Sequence, residues 1–256
     1  MRKADFHTNP PDTGKLFRKI CQKVGTTLHH HFMISEGDRV LVGLSGGKDS
    51  MILLEALAER RRAFPFGFTL EAVHVEAEGI GYRIDRERIF MFCASLGVPL
   101  HWRTIEPDLE RDAAKNTCFV CSWHRRKSMF DLTREMDFNR LALGHHRQDA
   151  VETLLMNMIY HGSISSLPYT LEMFNGRVRL IRPLMDLDER ILEDYARLNG
   201  MVNVEKSCPF EDRSRRDRIA SIIREIEALH GKGPFNMFKS MDKICGEYLP
   251  SSRNLI

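Results

Sequence analysis

Residues 39–50 read RVLVGLSGGKDS. Arg39 to Leu44 is a short aliphatic, β-branched run of the kind that forms a buried strand, and it ends at Ser45-Gly46-Gly47. A helical pattern follows at once, carried by Met51, Leu54 and Leu57. The glycines therefore lie between a strand and a helix. There, backbone N–H groups can converge on an anion without Cβ interference, and the helix N-terminus adds partial positive charge. Two common phosphate loops do not fit. A Walker A loop has four residues between its first Gly and Gly-Lys, then Ser or Thr after Lys; here three intervene between Gly43 and Gly47, and Asp49 follows Lys48. The dinucleotide fingerprint G-x-G-x-x-G is absent as well.

Outward from this stretch, strand and helix patterns alternate. LEAVHVEA (70–77), PLHWRTI (99–105) and RLALG (140–144) read as strands. Helices are expected over about 84–96, 122–136 and 148–160. Such alternation predicts a doubly wound α/β fold, a parallel sheet with helices on both faces. Before it, Leu16, Ile20, Val24, Leu28 and Phe32 recur every fourth residue and mark one face of an amphipathic helix. The triplet His29-His30-His31 on that helix points in three directions, which suits a solvated or partly packed helix end better than a metal site. After it, Asn175-Gly176 between TLEMF and RVRLI predicts a two-residue hairpin. Asp186 with Glu189 resembles a capping box, and Gly200 is placed to stop the helix that follows. Helical segments over about 214–230 and 235–248 complete the chain. The expected organisation is an N-terminal tail and helix (1–36), an α/β domain (37–185) and a mostly helical extension (186–256).

Composition narrows the function classes. Of the 256 residues, 43% are hydrophobic and 29% charged, the balance of a folded chain, not a disordered one. A formal net charge of +3 is too mild to imply nucleic acid by itself. No run reaches the roughly 18–20 apolar residues that span a bilayer, and the first residues lack a signal-peptide core, so a cytoplasmic protein without membrane attachment is expected. Six cysteines in a chain this long do not make a disulfide scaffold. Cys21, Cys93 and Cys245 read as small apolar residues.

Cys118-Phe-Val-Cys121 places two thiols together at an expected helix start, and Cys208 follows far downstream. Such a pair can be half of a zinc site, a redox couple or part of an iron–sulfur ligand set. His124 extends the pattern to Cys-x-x-Cys-x-x-His, so a Cys3His zinc site using Cys208 is an alternative. Gly144-His145-His146-Arg147 sits where a strand ends, the edge at which doubly wound sheets bind ligands, with Asp149 on the next helix. Basic residues gather at 60–62, at Arg83, Arg86 and Arg88, at Arg125, Arg126 and Lys127, and at Arg213, Arg215, Arg216 and Arg218. Those flanking the cysteines would suit phosphate neutralisation.

Ser45-Gly46-Gly47-x-Asp49-Ser50 resembles the S-G-G-x-D-S signature of the PP-loop ATP pyrophosphatases, which share an adenine-nucleotide alpha-hydrolase-like fold. Together with CFVCSWHRRKSMF, LALGHHRQDAVETLLMN and IRPL, the chain is similar to tRNA 2-thiocytidine synthetases of TtcA type over about residues 37–208. It departs at Gln148, where that family has Asp. The resemblance implies that ATP adenylates the C2 oxygen of a cytosine in tRNA before sulfur replaces it. It implies that Cys118, Cys121 and Cys208 hold a [4Fe–4S] cluster with one iron left open. Ser45, Gly46, Gly47 and Ser50 would hold pyrophosphate, Lys48 and Arg147 would offset its charge, and Asp49 with Asp149 would orient Mg2+. Gly144 and His145 complete the expected nucleotide site. Expected partners are tRNA, ATP and a sulfur donor such as a cysteine desulfurase, with a homodimer left open. The rival readings are a lysidine-type ligase with structural zinc and a non-enzymatic zinc-containing RNA-binding protein.

Overall fold

The computed structural model describes residues 11–78, 84–107, 117–201 and 215–248, excluding the side chains of 11, 12 and 117–119. It forms two compact units, Met1–His146 with Pro168–Asp212, and Arg147–Leu167 with Arg213–Ile256.

The first unit is built on a six-stranded sheet of β1 (Arg39–Gly43), β2 (Thr69–Ala77), β3 (Leu100–Ile105), β4 (Arg140–Ala142), β5 (Thr170–Met173) and β6 (Val178–Ile181) in the order β3-β2-β1-β4-β6-β5. All neighbours are parallel except β5, which pairs antiparallel with β6 at the edge. Val40, Leu41 and Val42 are fully buried because β1 is covered on both faces. Val40 and Val42 face a cluster with α1 (Pro11–His30), α2 (Lys48–Ala63), α3 (Arg86–Ser95) and α6 (Glu189–Leu198), whereas Leu41 packs with Val73, Leu141 and Leu132 of α4 (Thr117–Glu135). The doubly wound sheet expected from the alternating pattern is thus present. α1 follows its expected stripe, with Ile20, Val24 and Leu28 buried.

The second unit holds α5 (Arg147–His161), α7 (Arg215–Leu229), α8 (Gly233–Ser240) and a single 3-10 turn at Gly246–Tyr248. Ile219 and Ile223 of α7 and Phe238 of α8 are buried. The last expected helix is therefore shorter than its pattern, and Cys245 lies beyond it, exposed and not buried.

Two local expectations are corrected by tertiary contacts. The β5–β6 connection has four residues, because Met173 pairs with Val178 and Phe174, Asn175 and Gly176 all take left-handed φ of 54°, 57° and 81°. Asn and Gly accept that region readily, so the turn widens around them. The cap of α6 is Asp188, whose side chain accepts from Arg190 N. Asp186 instead accepts from the Thr27 hydroxyl at 2.7 Å and the Tyr169 hydroxyl at 2.8 Å, tying α1 to the end of the sheet. His31 stacks on Tyr169 at the same place, whereas His29 and His30 are exposed.

Below α2, Glu55 Oε1 accepts from the Tyr195 hydroxyl at 2.9 Å, while its Oε2 is buried without a hydrogen-bond partner. Burial raises the Glu55 pKa above its ordinary 4.5, with the Tyr195 bond opposing the shift and Glu59 adding to it. A carboxyl raised on folding costs stability once pH passes the unfolded value, and the full cost is present above the folded one. Glu55→Gln keeps the acceptor and deletes the charge. Its thermal midpoint should equal the parent's below about pH 4 and exceed it by a few degrees near pH 7, as read by unfolding at both pH values. Equal midpoints at pH 7 would contradict this.

Candidate functional site

The sheet order reverses between β1 and β4. Connections from these neighbouring strands leave in opposite directions and open a crevice at the carboxyl edge. Residues 44–47 leave β1 there, and 143–146 leave β4 beside them. A Cβ on Gly144 would lie 3.0 Å from the Asp49 carbonyl carbon and 3.0 Å from Ser50 N. A side chain there would have to push this backbone back by a few tenths of an ångström, so the glycine permits the close approach.

The loop is held by its own serines. Ser45 N donates to Ser50 Oγ at 3.1 Å, Ser50 Oγ donates to Gly47 O at 3.0 Å, and Gly47 N donates to Ser45 Oγ at 3.3 Å. Ser50 is buried, so its hydroxyl serves the loop's own backbone. Gly46 turns the chain at φ +83°, and a Cβ there would meet Ile84 Cδ1 at 2.8 Å. Gly47 caps α2 without any side-chain cap.

At the start of α2 the loop carries an ionic cluster. Lys48 Nζ lies 3.1 Å from Asp49 Oδ2 and 3.1 Å from Glu189 Oε1, the latter at the first position of α6. His146 Nε2 lies 4.0 Å from Asp49 Oδ1 and 3.8 Å from Glu189 Oε1. Burial alone would lower the Lys48 pKa, but the two carboxylates outweigh it and raise it above its ordinary value. Lys48 is thus a fixed cation, and Asp49 is an oxygen donor of the kind that Mg2+ takes.

Glu189 and His146 were not among the expected site residues. Glu189 is 141 positions from Lys48 and its spacing from Asp186 suggested a cap. His146 is the buried member of the histidine pair, and the expected His145 is half-buried in the same connection.

Cys121 is buried against Ala77, at the carboxyl end of β2, with Ile105 of β3 alongside. This thiol therefore stands on the sheet edge that carries the phosphate loop. Cys118 lies in the first turn of α4, its side chain outside the described residues, as is all of Cys208. Among the described residues no group of three or more His, Cys, Asp or Glu side chains gathers as a metal site. The donor that is described, a buried thiol, fits a soft metal group such as iron–sulfur. His124 stands edge-on against Trp123 at 4.9 Å.

In the second unit, Arg147 and Asp149 occupy the first turn of α5. The Arg147 guanidinium lies over Phe235 at 5.0 Å, and the Asp149 carbonyl accepts from Thr153 Oγ1 at 2.7 Å. Of the expected basic groups, Arg215 lies over Tyr160 at 4.7 Å, Arg216 pairs with Glu152 at 3.1 Å, and Arg126 donates to Ser122 O. Arg83 and Arg213 are outside the described residues.

The model of the PP-loop domain family matches residues 18–226. The tRNA-cytidine(32) 2-sulfurtransferase of Pelobacter propionicus is 36% identical over 83% of this chain and 80% of its own length. That of Polynucleobacter asymbioticus is 33% identical over 97% of this chain and 82% of its own. Among solved structures, the U34-tRNA thiolase NcsA from Methanococcus maripaludis with its [4Fe-4S] cluster superposes with a TM-score of 0.73 at 22% identity, covering 93% of this chain and 81% of that one, a likeness of fold. With its phosphate loop at the crevice of a doubly wound sheet and relatives matched along most of its length, the chain belongs to the PP-loop family of tRNA-cytidine(32) 2-sulfurtransferases.

Proposed function

We propose that this chain replaces the C2 oxygen of a cytosine in tRNA by sulfur, consuming ATP and releasing AMP and pyrophosphate. The observation that carries this reading is one sheet edge bearing both the Ser45–Ser50 loop and the buried Cys121. The relatives named above act at cytidine 32, so that position is the first to test. A tRNA substrate makes the cytoplasm the expected compartment, and no helix among the described residues is long and apolar enough to cross a membrane.

With the Ser45 and Gly47 amides spent on holding the loop, the backbone N–H groups of Gly46 and of Lys48 at the start of α2 would be the ones presented to the β and γ phosphates. Lys48, fixed between Asp49 and Glu189, would face the charge released when pyrophosphate leaves. Asp49 would supply an oxygen donor to the Mg2+ that accompanies ATP. The cytosine C2 oxygen would attack the α phosphate, breaking the bond to pyrophosphate and converting that oxygen into the bridging atom of a good leaving group. A sulfur nucleophile at the sulfide level would then add at C2, and AMP would depart with the original oxygen. Cys118, Cys121 and Cys208 would hold a [4Fe–4S] cluster. Such a cluster supplies an iron without a protein ligand, on which sulfur can be carried. The target base must leave its stack, which a tRNA loop allows at low cost.

With tRNA, Mg-ATP and sulfide, the anaerobically prepared chain should form AMP and pyrophosphate in step with 2-thiocytidine. ADP and phosphate would overturn the reading. Asp49→Asn should lower the rate by at least about a hundredfold without changing the fold, because removal of one electrostatic group from such a site costs that order. Cys121→Ala should lose both the brown colour of the cluster and thiolation. Full thiolation by Cys121→Ala, or a colourless zinc protein after cluster reconstitution, would contradict the role given to the cysteines. Gly144→Ala should push the loop away from β4 and weaken Mg-ATP binding roughly tenfold or more, the scale of a small overpacking strain. Unchanged binding in calorimetry would contradict the close approach.

A further inference from the structure

One buried group at the sheet edge has no part in the reaction outlined above. His74 lies in β2, 2% exposed, and its Nδ1 is 2.7 Å from the carbonyl oxygen of Leu44, the residue directly before the phosphate loop. A carbonyl can only accept, so Nδ1 carries the proton and donates it. The Leu44 amide still belongs to the sheet, donating to Val73 O at 2.8 Å. Its carbonyl lies where the chain turns away into the loop, and a side chain takes the place of a ladder partner. The next amide, Ser45 N, donates to Ser50 Oγ at 3.1 Å. The peptide plane between Leu44 and Ser45 is therefore gripped at both ends, its C=O by His74 and its N–H by Ser50.

The imidazole is itself held in place. Its ring centroid lies 4.4 Å from that of Trp102, its register partner on β3. Trp102 Nε1 donates to Glu76 Oε2 at 3.1 Å, and the Arg86 guanidinium covers the indole at 4.8 Å. Burial lowers the His74 pKa below its ordinary 6.5, the Leu44 bond opposes that shift, Arg125 of α4 lowers it further, and Glu76 opposes weakly. The ring is accordingly a neutral donor.

We propose that His74 is the positioning residue of the phosphate loop: by donating Nδ1–H to the Leu44 carbonyl it fixes the peptide that sets the course of the loop, and with it the aim of the Gly46 and Lys48 amides at the phosphates. This rests on the reading of that loop as the ATP phosphate site. An orphaned buried carbonyl would free the plane to rotate, and the loop behind it would lose its fixed course.

The two amide side chains separate this role from packing. An Asn amide nitrogen overlays Nδ1 of His, whereas a Gln amide nitrogen overlays Nε2. Calorimetry with Mg-ATP on the whole chain should show the parent and His74→Asn binding within about threefold of each other. His74→Gln and His74→Phe should bind roughly ten- to a hundredfold more weakly, the range set by one unsatisfied buried group. Amide hydrogen exchange over residues 44–50 should be faster in His74→Gln and His74→Phe only, with thermal midpoints showing all variants folded. Should His74→Phe not fold, the Asn and Gln pair decides alone. Equal ATP affinity for His74→Asn and His74→Gln would overturn the proposal while leaving the loop's reading intact. No Mg-ATP binding by the parent would remove that reading, and the proposal with it.

Discussion

Val40, Leu41 and Val42 of β1 pair in parallel with β2 on one side and β4 on the other. Parallel neighbours end on the same edge, so the connections after β1, β2 and β4 all emerge together. Because the strand order reverses between β1 and β4, their two connections diverge and leave room for a ligand. The phosphate loop, the Gly144 approach and the Cys121 thiol are all consequences of that pairing. An antiparallel sheet with the same residues would scatter them to opposite edges.

The electrostatics are arranged along the same edge. Lys48 is held by Asp49 and Glu189 with only part of its side chain exposed, and His146 borders both carboxylates. A flexible lysine would lose side-chain entropy each time it met a phosphate. A lysine already held loses less, which is the physical sense of preorganisation. The loop's serines and His74 do for the backbone what the carboxylates do for the lysine, fixing direction before any ligand arrives.

The parts legible in the sequence are those encoded locally. Strand–loop–helix order, the glycines between strand and helix, and the thiol pair at a helix start all lie within short windows, where periodicity and residue type act directly. Glu189 was not legible, since its tie to Lys48 spans 141 positions and depends on α6 lying over α2. Asp186 was misread for the same reason: its local spacing fits a cap, but Thr27 and Tyr169 offer it stronger donors once α1 has docked. His145 was the expected member of the histidine pair, but residues beyond a strand no longer obey its alternation, and it is His146 that lies buried beside Asp49 and Glu189. His74 reads as one more residue of a β run, and only the turn of the chain at Leu44 brings its ring to the loop.

The central claim is that the cytosine C2 oxygen becomes part of AMP. tRNA carrying 18O at the C2 carbonyl of the target cytosine tests it directly, by mass spectrometry of the AMP formed in a single turnover with unlabelled ATP and water. The account predicts one 18O atom in the phosphate of each AMP for each 2-thiocytidine made. Unlabelled AMP, with the heavy oxygen released to water or found in pyrophosphate, would contradict it.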